Sequence, residues 1–236
     1  MRLNGLIGSS VMVMAHVALF TPAASSAAIT VTAFNNATVQ PAGPRTGSNG
    51  KAFFNMEGSA NGAFASYGVL DFQIPLGEPA LNADMLTVSL TQANASFTHN
   101  GTLSFYLSTD TSTIIDPGSS PLQFPTPAPT LAYPLGLGTF TEVANGQLDN
   151  YTFALSAGLK TYVNNQITSA GLIRIVINPN DPNVAATYAG ATFNPATSRP
   201  ELTLSAGAIV PEPSTIVSLA LGIGLLGLGY FRRTKD

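Results

Sequence analysis

The sequence of 236 residues contains no cysteine, no tryptophan and only two histidines. Without cysteine, the chain has no disulfide framework and no thiol chemistry. His16 lies in an N-terminal apolar stretch, so His99 is the one histidine in the rest of the chain. A single histidine cannot form a His-based metal site, and a Ser-His-Asp triad would depend entirely on His99. We interpret His99 as an exposed turn residue and predict that the protein is not an enzyme.

Charge is also scarce, because charged residues make up 9% of the chain and the net charge is −3. No basic run or patch is visible, which argues against nucleic acid as a partner. The acidic residues leave open an alternative function as a secreted hydrolase with a carboxylate pair. Asp71 lies between Leu70 and Phe72, so we expect it to point away from their shared core face, as a solvated or hydrogen-bonded strand residue.

Alternation of apolar and polar residues is the main pattern between the chain ends. Strands of this length, bounded by Gly, Pro, Asn or Asp, are typical of an antiparallel sandwich or barrel. Asn100-Gly101 predicts a hairpin that joins strands near 85–98 and 102–108. The predicted strands cover 69–74, 86–91, 102–107, 151–155, 172–177 and 202–204.

One segment has helical spacing, and another is rich in proline. Leu159, Val163 and Ile167 follow one another at intervals of four, with Ser156 as a candidate N-cap and Gly171 as the end. They predict one amphipathic helix or a pair of helical turns. The six prolines between Asp116 and Gly138 predict a long surface loop, because proline is excluded from central strands.

Residues 1–28 have the character of a signal peptide. Arg2 precedes an apolar stretch from Leu6 to Phe20, and small residues favour cleavage after Ala28 or one residue earlier. We expect a mature β-sandwich domain over residues 29–208, built as one antiparallel sandwich with one short helix.

The C-terminal segment, residues 209–236, has three parts in order. Pro211, Glu212 and Pro213 hold an extended approach. A transmembrane helix is predicted over about 214–231, although its apolar part spans only roughly 24–27 Å against a hydrocarbon core about 30 Å thick. Arg232, Arg233 and Lys235 form a membrane stop and favour a cytoplasmic C-terminus.

This tail resembles the PEP-CTERM sorting signal of Gram-negative bacteria, which is also called the ice-binding protein C-terminal domain. The resemblance rests on Pro211-Glu212-Pro213, the Gly-rich apolar helix and Arg232-Arg233. It implies an exosortase-type processing enzyme as a partner and an inner-membrane intermediate. It also implies delivery to the cell surface or the extracellular matrix. No regular Thr-x-Thr array repeats along the chain, so we do not expect an ice-binding plane.

The central region is similar to DNRLRE-type jelly-roll domains over roughly residues 30–205. Three pieces occur in order: the strand from Tyr67 to Phe72, the helix followed by Gly171, and the closing segment from Arg199 to Leu204. The chain departs from the pattern at 188–191, where Tyr-Ala-Gly-Ala replaces a stretch that is often acidic. The resemblance implies a jelly-roll-like sandwich used for adhesion or glycan contact.

Two residues are candidates for binding. Tyr106 lies on the polar face of its strand and could contact a sugar, although packing is the alternative role. Asp181 lies in a turn with Asn178, Asn180 and Asn183 and is a candidate ligand for structural calcium, with an ordinary Asx turn as the alternative. We predict an exported, non-enzymatic surface or matrix protein that contacts exopolysaccharide. The alternatives are a dedicated carbohydrate-binding module and a secreted carboxylate-type hydrolase.

Overall fold

The structure is a computed structural model that describes residues 27–41, 43–45, 49–78, 81–93, 97–115 and 132–206. Twelve strands and few helices make this part of the chain mainly β. The helices are α1 (Asn49–Ala52) and α2 (Ala157–Ser169), with 3-10 turns at Ser59–Phe64 and Ala196–Ser198. The strands are β1 (Ala28–Thr32), β2 (Asn35–Gln40), β3 (Gly43–Pro44), β4 (Phe53–Glu57), β5 (Tyr67–Gln73), β6 (Met85–Thr91), β7 (Gly101–Ser108), β8 (Ala132–Phe140), β9 (Leu148–Ala154), β10 (Leu172–Pro179), β11 (Ala185–Ala189) and β12 (Glu201–Ser205).

The strands form three antiparallel sheets. A six-stranded sheet has the order β3-β2-β5-β10-β7-β8, and a four-stranded sheet has the order β1-β12-β6-β9. The third sheet is the pair β11-β4. Every pairing among the named strands is antiparallel, as the short alternating runs of the sequence predict.

One main apolar cluster draws residues from all three sheets and from α2. Leu86 comes from the four-stranded sheet, Phe72 from the six-stranded sheet, Phe54 from β4 and Val163 from α2. Alternation places each of these strand residues on the inner face, and all four are fully buried. Burial of one such side chain stabilises the fold by about 1.5–3 kcal/mol. The predicted period-two strands are therefore confirmed.

The predicted hairpin at Asn100-Gly101 is wrong. β6 pairs with β12 and β9, whereas β7 pairs with β10 and β8, so the two strands lie in different sheets. Between them, Gln92 and His99 make isolated bridges to β11. The connection thus runs past a third sheet instead of reversing in a tight turn, and local turn chemistry could not show this.

The predicted helix is confirmed as α2, with Leu159, Val163 and Ile167 buried. Its ends differ in detail from the prediction. Ser156 occupies the N-cap position in an extended conformation but makes no side-chain capping hydrogen bond. At the other end, Ala170 takes the left-handed conformation (φ 49°, ψ 45°) that glycine usually adopts there.

The prediction of one long loop over 116–138 is wrong in its C-terminal part. Residues 116–131 lie outside the described residues, but β8 begins at Ala132 and continues to Phe140. Pro134 is tolerated because β8 lies at the edge of the six-stranded sheet among the described strands, where a missing backbone N–H on the outer side costs no ladder bond. The β7–β8 register also shifts between Phe105 and Tyr106, opposite this proline.

A buried ion pair spans the centre of the six-stranded sheet. Asp71 on β5 lies directly opposite Arg174 on β10, and both side chains are almost fully buried. Arg174 donates from Nε to Asp71 Oδ1 at 2.7 Å and from Nη2 to Oδ2 at 2.9 Å. It also donates to the carbonyls of Asp110 and Thr113, at 2.7 Å each. Asp71 therefore faces away from Leu70 and Phe72 as predicted, and it is hydrogen-bonded.

Candidate ligand-binding groove

The two-stranded sheet presents a polar outer face. On β4, Phe54 and Met56 point into the main apolar cluster, so Phe53, Asn55 and Glu57 point the other way. Asn55 lies directly opposite Thr187 of β11. Two neighbouring cavities lie over this face, and Arg45 and Asn55 line both. We call the two cavities together the β4–β11 groove.

The first cavity has a volume of about 540 Å³. It lies within the range of about 300–1,000 Å³ that is typical of ligand sites. Phe53 and Phe193 line its apolar side, packed edge to face with ring centroids 5.3 Å apart. The polar side chains in its described lining are Arg45, Asn55, Thr91, Gln92, Asn145, Thr187 and Ser198.

Asn55 is the centre of the polar floor. Its Nδ2 donates to Thr187 Oγ1 at 2.7 Å, and its Oδ1 accepts from Arg45 Nη1 at 2.9 Å. Its backbone N–H donates to Thr38 Oγ1 at 3.0 Å. Asn55 is only 6% exposed, so these bonds fix the amide and in turn fix the guanidinium of Arg45.

Gln92 anchors a wall of the first cavity. Its Nε2 donates to the carbonyl of Thr141 at 2.8 Å and to Asp149 Oδ2 at 2.9 Å. The same Asp149 oxygen accepts from the hydroxyl of Tyr188 at 2.9 Å. Burial raises the pKa of Tyr188 well above its usual range, so its hydroxyl stays protonated. This buried network makes the wall rigid instead of adaptable.

The second cavity has a volume of about 420 Å³ and shares Arg45 and Asn55 with the first. Phe64 and Phe97 line it, and they are 61% and 71% exposed. Its polar lining includes Glu57, Asn61 and His99. Burial raises the pKa of Glu57, and the positive charge of Arg45 opposes this effect. The groove thus combines exposed aromatic rings with hydrogen-bonding and charged groups.

Comparison with known families gives one match, at the end of the chain. A family model described as the PEP-CTERM protein-sorting motif matches residues 210–233. The chain carries a PEP-CTERM sorting motif. The motif implies an exosortase-type processing enzyme, export and sorting to the surface of a Gram-negative cell. A comparison with curated proteins finds no match.

The PEP-CTERM motif contains five of the six predicted sorting residues: Pro211, Glu212, Pro213, Arg232 and Arg233. The sixth, Lys235, follows the matched range. The predicted helix at about 214–231 lies outside the described residues, and so do residues 1–26 of the predicted signal peptide. In the part of the chain that the structure describes, no helix is long and apolar enough to cross a membrane.

The groove does not include either residue that the sequence singled out for ligand contact. Tyr106 is half-buried and packs against a second apolar cluster on the outer face of the six-stranded sheet, which includes Tyr67, Val69 and Ile115. Asp181 accepts the backbone N–H of Asn183 at 2.9 Å, which is the geometry of an Asx turn.

The structure also locates His99 and Asp71, which were considered from the sequence as possible catalytic residues. His99 is exposed as expected, and it lines the second cavity. Asp71 is paired with Arg174 inside the six-stranded sheet. Within the described ranges, no group of three or more His, Cys, Asp or Glu side chains could hold a metal ion.

Sequence reasoning missed the groove residues Arg45, Asn55, Phe64 and Phe97. They come from separate segments, and only the fold brings them together. One local signal existed in Phe53-Phe54-Asn55-Met56-Glu57, a short strand whose alternate residues are Phe, Asn and Glu. Alternation along such a strand places Phe, Asn and Glu together on its outer face.

Proposed function

We propose that the chain is an exported, non-enzymatic surface or matrix protein that contacts polysaccharide through the β4–β11 groove. The observation that carries the proposal is the groove itself, in a chain whose C-terminus has a PEP-CTERM motif. Sorting to the surface brings the protein next to the cell's own glycans. The groove then offers the chemistry that sugars need.

Sugar rings have an apolar face and a rim of hydroxyls. Phe64 and Phe97 are large apolar side chains held in solvent, which costs free energy unless something covers them. Asn55 lines both cavities and Thr187 lines the first, and they offer amide and hydroxyl groups that are already oriented by hydrogen bonds. A sugar could stack on the rings while its hydroxyls bond to this floor, and little ordering cost would remain.

The finer architecture that we propose is a single jelly-roll-like sandwich over residues 29–208. The apolar cluster shared by the four-stranded and six-stranded sheets supports it, as does the position of β12 between β1 and β6. A rigid sandwich with a groove at one side is suited to adhesion, because its loops and outer faces can be used without changes to the core.

Ring substitution tests the groove. Replacing both Phe64 and Phe97 by alanine should weaken binding to the host's extracted exopolysaccharide by about five- to 150-fold, if each ring contributes about 0.5–1.5 kcal/mol. Phe34→Ala is the matched control, because Phe34 is 54% exposed and lines neither cavity. Equal binding by the double variant and the control would exclude the groove as the contact site.

A hydrolase is the alternative function that the same assay examines. Glycoside hydrolysis needs two facing carboxyls, about 5–9.5 Å apart. Glu57 is the one carboxylate in the described lining of the two cavities. Release of reducing sugar from the bound polysaccharide, lost in Glu57→Gln, would replace the non-enzymatic proposal with a catalytic one.

Processing in the host tests the sorting part. Pro211→Ala with Pro213→Ala should leave unprocessed chain in the membrane fraction, because both prolines belong to the motif that we propose the processing enzyme recognises. Pro127→Ala with Pro129→Ala is a matched control with the same spacing outside the motif. Mass spectrometry of the C-terminal peptide measures the cleavage. Normal processing of the first variant would contradict the assigned role of the prolines.

A further inference from the structure

The charge in the two cavities is unevenly distributed. Arg45 is the only charged side chain in the described lining of the first cavity. The second cavity contains Glu57 as well as Arg45. In the described lining, a negatively charged group in the first cavity would therefore meet only the positive charge of Arg45, whereas in the second cavity Glu57 would oppose that attraction.

We infer that the groove selects an acidic glycan and holds the carboxylate of a uronic acid unit against Arg45 in the first cavity. This inference rests on the proposed function, because it names the ligand class of the same groove. The neighbouring sugar unit then lies in the second cavity between Phe64 and Phe97, where a neutral ring fits better than a charged one.

The guanidinium of Arg45 is prepared for such a ligand. Only its Nη1 has a hydrogen-bond partner among the described residues, the Oδ1 of Asn55 at 2.9 Å. The described residues also place no carboxylate within ion-pair distance of it. A guanidinium has five N–H donors in a fixed planar fork, so an edge remains for a bidentate carboxylate.

The residues that hold the guanidinium of Arg45 in place are buried. Asn55 and Thr187 are 6% and 2% exposed, and Asn55 Nδ2 donates to Thr187 Oγ1 at 2.7 Å while Asn55 Oδ1 accepts from Arg45. Thr187 accepts this bond, so its hydroxyl can still donate to an oxygen in the cavity. A carboxylate in the first cavity would thus meet donors from two sides, and the positions of those donors are set before it binds.

The net charge of the whole protein works against the same ligand. At −3, the chain repels an acidic polymer at long range. Any preference for an acidic glycan must therefore come from a local site, and added salt should weaken the binding by screening that site. Because the net charge is negative, binding of an acidic glycan cannot be explained by nonspecific attraction to a basic surface.

The test compares one oligosaccharide in two charge states. Calorimetry on the full chain would measure binding of a galacturonic acid tetrasaccharide and of its methyl ester, which has nearly the same shape but no carboxylate. We expect the acid to bind about tenfold to 100-fold more tightly, as for hydrogen bonds that involve an ionised pair. Arg45→Gln should reduce this ratio to less than about threefold, and Arg45→Lys should give an intermediate ratio because it keeps the charge without the fork.

Lys160→Gln is the matched control for loss of a positive charge. Lys160 lies on α2, is 40% exposed in its ion pair with Asp84, and lines neither cavity. This variant should keep the full preference for the acid. Circular dichroism would check that Arg45→Gln is folded, and Arg45→Lys gives a second reading if it is not.

The outcomes separate the inference from the function on which it rests. Equal binding of acid and ester by the unmodified chain overturns the inference but leaves glycan contact standing. The inference is also overturned if Arg45→Gln keeps the full preference, since the charge would then be read elsewhere. Failure of both oligosaccharides and of extracted exopolysaccharide to bind overturns the proposed function together with the inference.

Discussion

Removal of one partner of the Asp71–Arg174 pair should destabilise the protein strongly. Asp71→Asn keeps the size of the side chain but removes its charge. It replaces one of the two acceptor oxygens by an NH2 donor facing the guanidinium, so the buried positive charge keeps only neutral acceptors, among them the carbonyls of Asp110 and Thr113. Because Arg174 is 1% exposed, water cannot replace the lost carboxylate. An uncompensated buried charge of this kind costs about 3–5 kcal/mol, a large part of the roughly 5–15 kcal/mol that stabilises a typical domain.

The pH dependence of stability distinguishes Asp71→Asn from the other single variant, Arg174→Met. Burial raises the pKa of Asp71, and the hydrogen bonds and charge of Arg174 oppose this effect. In Arg174→Met the opposition is gone, so the folded-state pKa of Asp71 rises further. A carboxyl with a raised pKa takes up a proton in the folded state. The stability of Arg174→Met is therefore greatest below the unfolded-state pKa and falls as the pH rises through the folded-state pKa, by up to about 1.4 kcal/mol per pH unit.

Urea unfolding of the full chain at several pH values measures both effects. The free energy of unfolding of Asp71→Asn should not fall with rising pH in this way, because the guanidinium stays charged throughout. Asp71→Asn combined with Arg174→Met should cost less than the sum of the two single variants, because no charge is left buried alone. If Asp71→Asn costs less than about 1 kcal/mol, or if the two single costs simply add, the reasoning about this pair is wrong.

Two further predictions test the packing of the edge strand and the electrostatics of the groove. Gly138→Ala should cost about 1–3 kcal/mol in chemical denaturation, because a Cβ would lie 2.3 Å from a Tyr151 ring carbon. Gly158→Ala, whose Cβ would meet nothing within 4 Å on α2, should instead stabilise by about 0.5–1 kcal/mol. Arg45→Met should raise the pKa of Glu57 further, as measured by NMR titration of the carboxyl group. The variant should therefore lose more stability than the unmodified chain as the pH rises through that pKa. An unchanged pKa of Glu57 would show that Arg45 does not act on it.

Local pattern in the sequence predicted the strands and the helix but not how the strands combine. Leu86, Val88 and Leu90 alternate along β6, and burial follows that alternation directly. The partner of β6 depends on contacts far away in the chain, so Asn100-Gly101 suggested a hairpin that the fold does not contain. Pro134 shows the same limit, because a proline is acceptable or not according to whether its strand lies at an edge.

A row of threonines across the four-stranded sheet arises from strand pairing and cannot be predicted from the order of residues along the chain. Thr30, Thr203, Thr87 and Thr152 lie side by side across the four-stranded sheet, one on each strand. Thr30 and Thr203 are hydrogen-bonded through their hydroxyls at 2.9 Å, and so are Thr87 and Thr152. No Thr-x-Thr array repeats along the chain, yet register alone produces this exposed hydroxyl row.

The candidate groove was hidden for the same reason. Arg45, Asn55 and Phe97 lie in three separate segments, and each of them alone is an ordinary surface or strand residue. Tyr106 was chosen because it lies on the polar face of β7, but a second apolar cluster covers that face. The sorting motif could be recognised because its three parts are contiguous, whereas a binding site built from several strands cannot be.

Hydrogen exchange of the full chain, with and without the host's extracted exopolysaccharide, would show whether the polysaccharide binds in the β4–β11 groove. We expect slower exchange on binding for backbone amides around Asn55, Phe64, Phe97 and Thr187, with little change on β1, β9 and β12 of the four-stranded sheet. Protection along the threonine row instead of the groove would place the contact on the four-stranded sheet and contradict the proposed site. The same holds if no segment is protected at a saturating concentration of the polysaccharide.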